Sequence, residues 1–334
     1  MKWLSHSNGI YKVEKEKISM LKILKICIAV LAALLVLGFA IQLMTNFIDN
    51  QRLKSRFKYV RIDGKKMEYK IKGNGEYTIV FDGSLGADMY QWDNVCKNLE
   101  ENKGVTTFTY NRRGYGFNDG GEIRTPEDQA KDLKSLLRKA GAPEPYIMVS
   151  EQYGSLVATN FEKLYPKSVA GLVLINPIEE ERLSDQQIKS QIRKYYIRSK
   201  IETIGANFSL TSLLSKFNLT IRNTTFEQDL SGTELEEYNA LKNKKNYREA
   251  ISNELYNLYN CSSKSQSESM LIQKPLYIIG KEDSSPLEKI GDPNFTKVYK
   301  LDNNEEPYSV TNYEAIITGI NSVIKDAKKI NKLQ

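Results

Sequence analysis

Histidine is all but missing. The chain of 334 residues holds one, His6, in a polar leader, so the rest of the chain has no imidazole to move protons or bind a metal. Cysteine is scarce too: Cys27, Cys96 and Cys261 form no disulfide framework and no zinc spacing. Cys27 lies in a long apolar run, which leaves at most one pairing. No metal site and no cofactor are expected. Internal repeats and low-complexity tracts are absent. No basic stretch is interleaved with stacking aromatics, which excludes nucleic acid as a partner. The net charge of +7 is largely juxtamembrane, and attraction to anionic headgroups is its modest reading.

What is present begins with that apolar run. Ile26 to Ile41 carries no charge, and Ile23 to Met44 comes close to the ~20 residues that cross a bilayer as a helix. A cleaved secretory signal has a shorter apolar core and an A-x-A-like site; this run is longer, follows a polar leader, and offers only Gly38-Phe39-Ala40. It reads as an uncleaved anchor. The expected organisation is a leader over 1–22, an anchor over 23–46, a polar linker over 47–56 and one domain over 57–334. Lysines before the run (Lys12, Lys15, Lys17, Lys22, Lys25) are balanced by Arg52, Lys54, Arg56 and Lys58 after it, so the positive-inside rule barely discriminates. A short leader and a large following domain suit a single-pass cell-membrane protein with its domain outside.

Phe57 to Lys72 alternates like a hairpin around Gly64-Lys65-Lys66. Buried strands follow at Thr78–Phe81, Val105–Tyr110, Tyr146–Val149, Val169–Ile175 and Pro275–Gly280, with a last strand at Lys297–Leu301. Helices fall between them, from Trp92 to Leu99, from Thr125-Pro126-Glu127-Asp128 (N-cap, proline and first-turn acids) to Gly141, and from Tyr313 to Ile324. Strand and helix alternate, as in a parallel sheet covered on both faces. Residues 178–269 show only charged, helix-period segments (Gln187–Ile204, Ser231–Leu258), expected to form a helical lid over the sheet's carboxyl end.

Around Pro145 to Gly154 a strand breaks sharply into a helix. With Phe81-Asp82-Gly83-Ser84-Leu85-Gly86, Tyr110-Asn111-Arg112-Arg113-Gly114-Tyr115-Gly116 and Gly171 to Pro177, the order and spacing resemble the α/β-hydrolase superfamily, in its bacterial lipase, esterase and aminopeptidase-like branch. The resemblance implies an α/β-hydrolase fold: a mostly parallel sheet, helices on both faces, a helical lid insertion, here preceded by one transmembrane helix. It also places the catalytic positions. The nucleophile's elbow, G-x-S-x-G in that family, reads Ser150-Glu151-Gln152-Tyr153-Gly154. The triad acid falls on Asp283, in Gly280-Lys281-Glu282-Asp283. The loop due to carry the histidine runs Leu301-Asp302-Asn303-Asn304-Glu305-Glu306.

A glutamine amide forms no acyl intermediate, and no histidine follows Asp283. Gln152, Asp283 and Asn304 are therefore read as vestigial positions. The expected binding residues are Gly83, Ser84, Leu85, Gln152 and Tyr153, with backbone amides of Tyr153 and of Gly83–Leu85 as remnants of an oxyanion hole. Glu151 is expected on the surface or behind the site, Tyr153 at the pocket mouth, and Arg112 and Arg113 in structural roles. The sequence thus suggests a non-catalytic, membrane-anchored protein that binds a small ligand or a protein partner. The competing readings are a hydrolase of esters or amides working through Asp283, Glu151 or Ser84, and a cell-surface scaffold acting through its lid helices.

Overall fold

The computed structural model describes residues 19–53, 56–101, 104–282, 285–302 and 305–332. An eight-stranded sheet forms its centre, in the order β1-β2-β4-β3-β5-β6-β7-β8. The strands are β1 (Lys58–Ile62), β2 (Lys65–Gly73), β3 (Tyr77–Asp82), β4 (Val105–Tyr110), β5 (Tyr146–Glu151), β6 (Val169–Ile175), β7 (Leu276–Gly280) and β8 (Thr296–Lys300). The β1–β2 hairpin pairs antiparallel with β4. Every later pairing is parallel.

Every residue of β3 and β5 is buried, as central strands covered on both faces require. Alternation assigns their side chains. Ile79, Phe81, Ile147 and Val149 pack with Trp92, Ile316, Ile320 and Val323 on one face. Val80, Met148, Leu172 and Leu174 pack with Leu133, Leu136 and Phe161 on the other. Each such Leu, Ile or Phe stabilises the fold by about 1.5–3 kcal/mol. The covering helices are α2 (Asp93–Glu101), α3 (Pro126–Ala140) and α4 (Gly154–Leu164), with α10 (Tyr308–Thr311) and α11 (Tyr313–Asn331) at the end of the chain. The start of α3 is the one its sequence dictates. Thr125 and Asp128 form a reciprocal capping box, Pro126 opens the helix, and Gly141 closes it in the left-handed region at φ 71°.

Between β6 and β7 the described residues form no named strand, but they do form α5 (Gln186–Gly205), α6 (Leu210–Lys216), α7 (Thr224–Asp229), α8 (Gly232–Leu241) and α9 (Lys245–Tyr259). The expected single segment Ser231–Leu258 is split at Lys242–Lys244, where Lys244 is extended and caps α9.

Helix α1 runs from Met20 to Arg52. By length and composition it suffices to cross a membrane, and a signal sequence passes the same test. Of the polar linker expected over 47–56, the part up to Arg52 is helical. Lys244 pairs with Asp49 at 3.0 Å and Arg52 pairs with Glu236, so the last turns are held against the helical insertion.

Candidate functional site

Strand order reverses at β3 and β5, and the loops leaving β3, β5, β7 and β8 converge at their carboxyl ends, where α/β sheets place ligands. The elbow there keeps its backbone geometry. Gln152 sits at φ 48°, a left-handed conformation rare for a residue with a Cβ. It is flanked by Glu151, ending β5, and Gly154, opening α4. Gly154 is sterically required: a Cβ there would lie 2.5 Å from the Asp82 carbonyl oxygen. Ser150, standing where the family's first glycine would be, is buried, and its hydroxyl has no partner among the described residues.

The Gln152 side chain reaches across to the loop after β8, where its amide donates to the Glu306 carboxylate. Glu306 in turn pairs with Lys281 at 2.8 Å, on the turn after β7; that contact raises the lysine's pKa. The loops bearing elbow, base position and acid turn are thus joined by a chain of amide, carboxylate and ammonium. The expected positions Asp283 and Asn304 lie outside the described residues. Gln152 and Glu306, with Leu85, Gly86, Tyr195, Ile251 and the segment Ile221–Thr225, line an open cleft of ≈ 610 Å³.

Beneath the cleft the candidate oxyanion amides are arranged unexpectedly. The Ser84 N–H donates to the Gln91 side-chain carbonyl at 3.0 Å. The same amide group donates from Nε2 to Glu151 at 2.8 Å. Ser84 itself is fully buried. Glu151 is buried as well, so of its two expected places the one behind the site holds and the surface does not. Its carboxylate also accepts from the backbone N–H groups of Tyr308, at 2.5 Å, and Ser309, at 3.2 Å. Burial nonetheless pushes its pKa up to about 7, the amide bonds opposing that rise.

Tyr153 does not lie at the pocket mouth. Its side chain is fully buried, its hydroxyl accepts from Asn257 at 2.9 Å, and the Arg112 guanidinium lies 5.2 Å from its ring centre. Arg112 serves structure, as expected. It pairs with Asp82 and with Glu254 of α9, the latter at 2.6 Å, and donates to the carbonyls of Gly83 and Ser84 at 2.8 and 3.1 Å. The network ties the loop after β3 to the helical insertion. Desolvation raises the pKa of both carboxylates while Arg112 opposes it. Arg113 likewise pairs with Asp132 of α3, at 2.7 Å. Among the described residues no group of His, Cys, Asp and Glu side chains is arranged to hold a metal ion.

Glu306, Lys281 and Gln91 were missed as site residues by sequence reasoning. Lys281 and Glu306 were within reach, since both belong to loops the elbow pattern already singled out. Gln91 carries no local signal: it lies in an apolar turn far from β5 in sequence.

Elbow, strand order and insertion together define an α/β-hydrolase-type protein. The α/β-hydrolase fold family model matches residues 77–283, and the chain belongs to that family. It is 23% identical over 312 residues to the uncharacterized protein YbdG of Bacillus subtilis (strain 168), covering 90% of this chain and 89% of that one. With the uncharacterized protein YqjL of the same organism it shares 30% identity over 140 residues, 41% of this chain. The chain spans only about half of YqjL, 54% of its length. Among solved structures, the Cif epoxide hydrolase from Acinetobacter nosocomialis matches with a TM-score of 0.64 at 14% identity, over 85% of this chain and 96% of that one. The epoxide hydrolase CorEH matches at 0.63 and 17% identity, over 80% and 98%. At such identities the likeness concerns the fold alone.

Proposed function

We propose that this protein is anchored in the cell membrane by α1, with its domain outside, and binds a small ligand or a protein partner without the family's acyl chemistry. The observation that carries the reading is the hydrogen bond from Gln152 to Glu306 at the elbow. A carboxamide there neither attacks a carbonyl nor carries the acyl group of an acyl-enzyme intermediate, and the domain supplies no imidazole. The occupied Ser84 amide adds support, because a donor engaged by Gln91 is not free to stabilise an oxyanion. The cleft still offers a ligand the Glu306 carboxylate, the Gln152 carbonyl, and apolar walls at Leu85, Ile221 and Ile251. The insertion α5–α9 is its lid.

A second reading, a hydrolase of esters or amides, draws on the same Glu306 carboxylate, which faces the cleft and has the chemistry to activate water directly. One experiment separates the two. The full chain in detergent is treated with a fluorophosphonate probe and assayed for turnover of short-chain esters and amides. Neither labelling nor turnover is expected. Turnover abolished by Glu306→Gln or Asp283→Ala would overturn the binding reading.

A further inference from the structure

The lid carries an apolar face that the cleft does not use. On α5, Ile197, Ile201 and Ile204 recur at helical spacing and are 49%, 60% and 63% exposed. On α6 and just beyond it, Leu213, Phe217 and Leu219 are 51%, 67% and 56% exposed. Arg193, Lys194 and Lys200 flank the isoleucines on the same side of α5, by the spacing of three and four residues that places side chains on one helix face. Arg193 and Lys194 lead that face, Lys200 stands between Ile197 and Ile201, and Ile204 closes it, so its carboxyl-terminal half is the more apolar one and the long Lys200 stem spans the step to the headgroups.

The apolar half is also the one that meets α1. The carboxyl end of α5 leads through Ala206–Phe208 to a backbone contact so close that a Cβ on Gly38 would lie 2.3 Å from the Phe208 carbonyl oxygen. The Ser209 hydroxyl donates to the Gly38 carbonyl or the Gln42 side-chain oxygen, each at 3.1 Å, and the Phe39 and Phe208 rings meet at 6.4 Å. Gly38 lies well inside the uncharged stretch Ile26–Ile48. About 20 residues fill the ~30 Å hydrocarbon layer, which from Ile26 ends near Thr45. At ~1.5 Å per residue Gly38 then lies ~10 Å inside the layer's edge. A lid corner docked on Gly38 is at that depth too, and amphipathic helices rest ~5–10 Å into the headgroup–acyl boundary.

We infer that the α5–α6 face of the lid is embedded in the leaflet that α1 enters, with Ile201, Ile204, Leu213 and Phe217 among acyl chains and Arg193, Lys194 and Lys200 at the headgroups. The occupant of this face is lipid, because the face continues directly from a helix of membrane-spanning length and its charges suit an anionic surface. This inference rests on the anchored reading of α1.

The test uses the full chain with Trp3→Phe, in vesicles of phosphatidylcholine and phosphatidylglycerol, with or without acyl-chain-brominated lipid. Tryptophan is introduced singly by Ile201→Trp, Phe217→Trp, Leu35→Trp within the anchor, and Tyr299→Trp on the exposed edge strand β8; the signal of buried Trp92 is subtracted. All four sites are exposed, so folding is expected to survive and is checked by circular dichroism. Tryptophan at 35, 201 and 217 is expected to lose most of its emission to bromine, and at 299 none. Quenching at 35 but not at 201 and 217 would overturn the embedded lid and leave the anchor standing. An absence of quenching at 35 as well would remove the anchor and the inference with it. Protection of 201 and 217 from both bromine and aqueous iodide would overturn the lipid assignment in favour of a second copy covering this face.

Discussion

Glu151 makes the candidate site's electrostatics measurable. Its carboxyl is fully buried behind Gln152, and burial raises its pKa from the ordinary 4.5 to about 7 despite three hydrogen-bond donors. In the unfolded chain it titrates near its ordinary value, so between those pH values the folded state binds the extra proton. The group's contribution is therefore fully present below pH 4.5 and is lost as pH rises through about 7. Each pKa unit corresponds to 1.36 kcal/mol, so the rise is worth about 3 kcal/mol. Glu151→Gln keeps the side chain's size and one carbonyl oxygen for the Tyr308 N–H, gives up the second acceptor that Ser309 and Gln91 share, and does not ionise; the lost acceptor shifts the variant's stability equally at every pH and leaves the slope to the carboxyl. The stability of the variant relative to wild type should climb by about 3 kcal/mol from pH 4.5 to pH 8. Asp88 and Glu162, raised by burial to about 8 and about 7, weaken both proteins alike on the same path and cancel in the difference. Urea unfolding of both purified chains in detergent at four or five pH values gives the curve. A difference that stays flat, or one that grows towards acid, would mean that the amide donors outweigh burial and hold the carboxylate charged.

Two further perturbations bear on the same site. Arg112→Met leaves Asp82 and Glu254 buried without their shared cation and should cost about 3–5 kcal/mol. The urea midpoint reads it, and a loss below about 1 kcal/mol would show that the network is not what ties the loop after β3 to α9. Gln152→Ser combined with Asn304→His rebuilds the family's nucleophile and base by chain order. Labelling by a fluorophosphonate should return, with slow ester turnover, because the Ser84 amide stays engaged by Gln91 and one missing oxyanion donor costs about 10²–10³ in kcat. Fast turnover would show that this amide is not part of any oxyanion hole.

The fold was legible wherever local chemistry decides. Strands β3, β5 and β6 announce themselves as short apolar runs; α3 announces itself by Thr125, Pro126 and Gly141. The elbow can be placed because a strand-to-helix turn leaves a five-residue trace even where glutamine stands at its centre. What stayed hidden is long-range pairing between side chains. Nothing near Gln91 tells that its amide satisfies Ser84 and Glu151, and nothing near Arg52 tells that it pairs with Glu236 of the helical insertion. Tyr153 stands beside the elbow residue, which points to the pocket mouth; its hydroxyl is instead bonded by Asn257, on a distant helix. Asp283 and Asn304 were legible as positions in an order and have no described geometry to set beside it. The pairings that escaped notice nevertheless share one direction. Gln91 occupies an amide at the oxyanion position, Gln152 occupies the elbow, and Glu306 with Lys281 bridges the two loops beyond. Each satisfies a polar group that would otherwise stand without that partner, and an unpaired buried polar group costs about 1–3 kcal/mol. The mutually bonded amides and carboxylates thus join the loops around the cleft to the elbow.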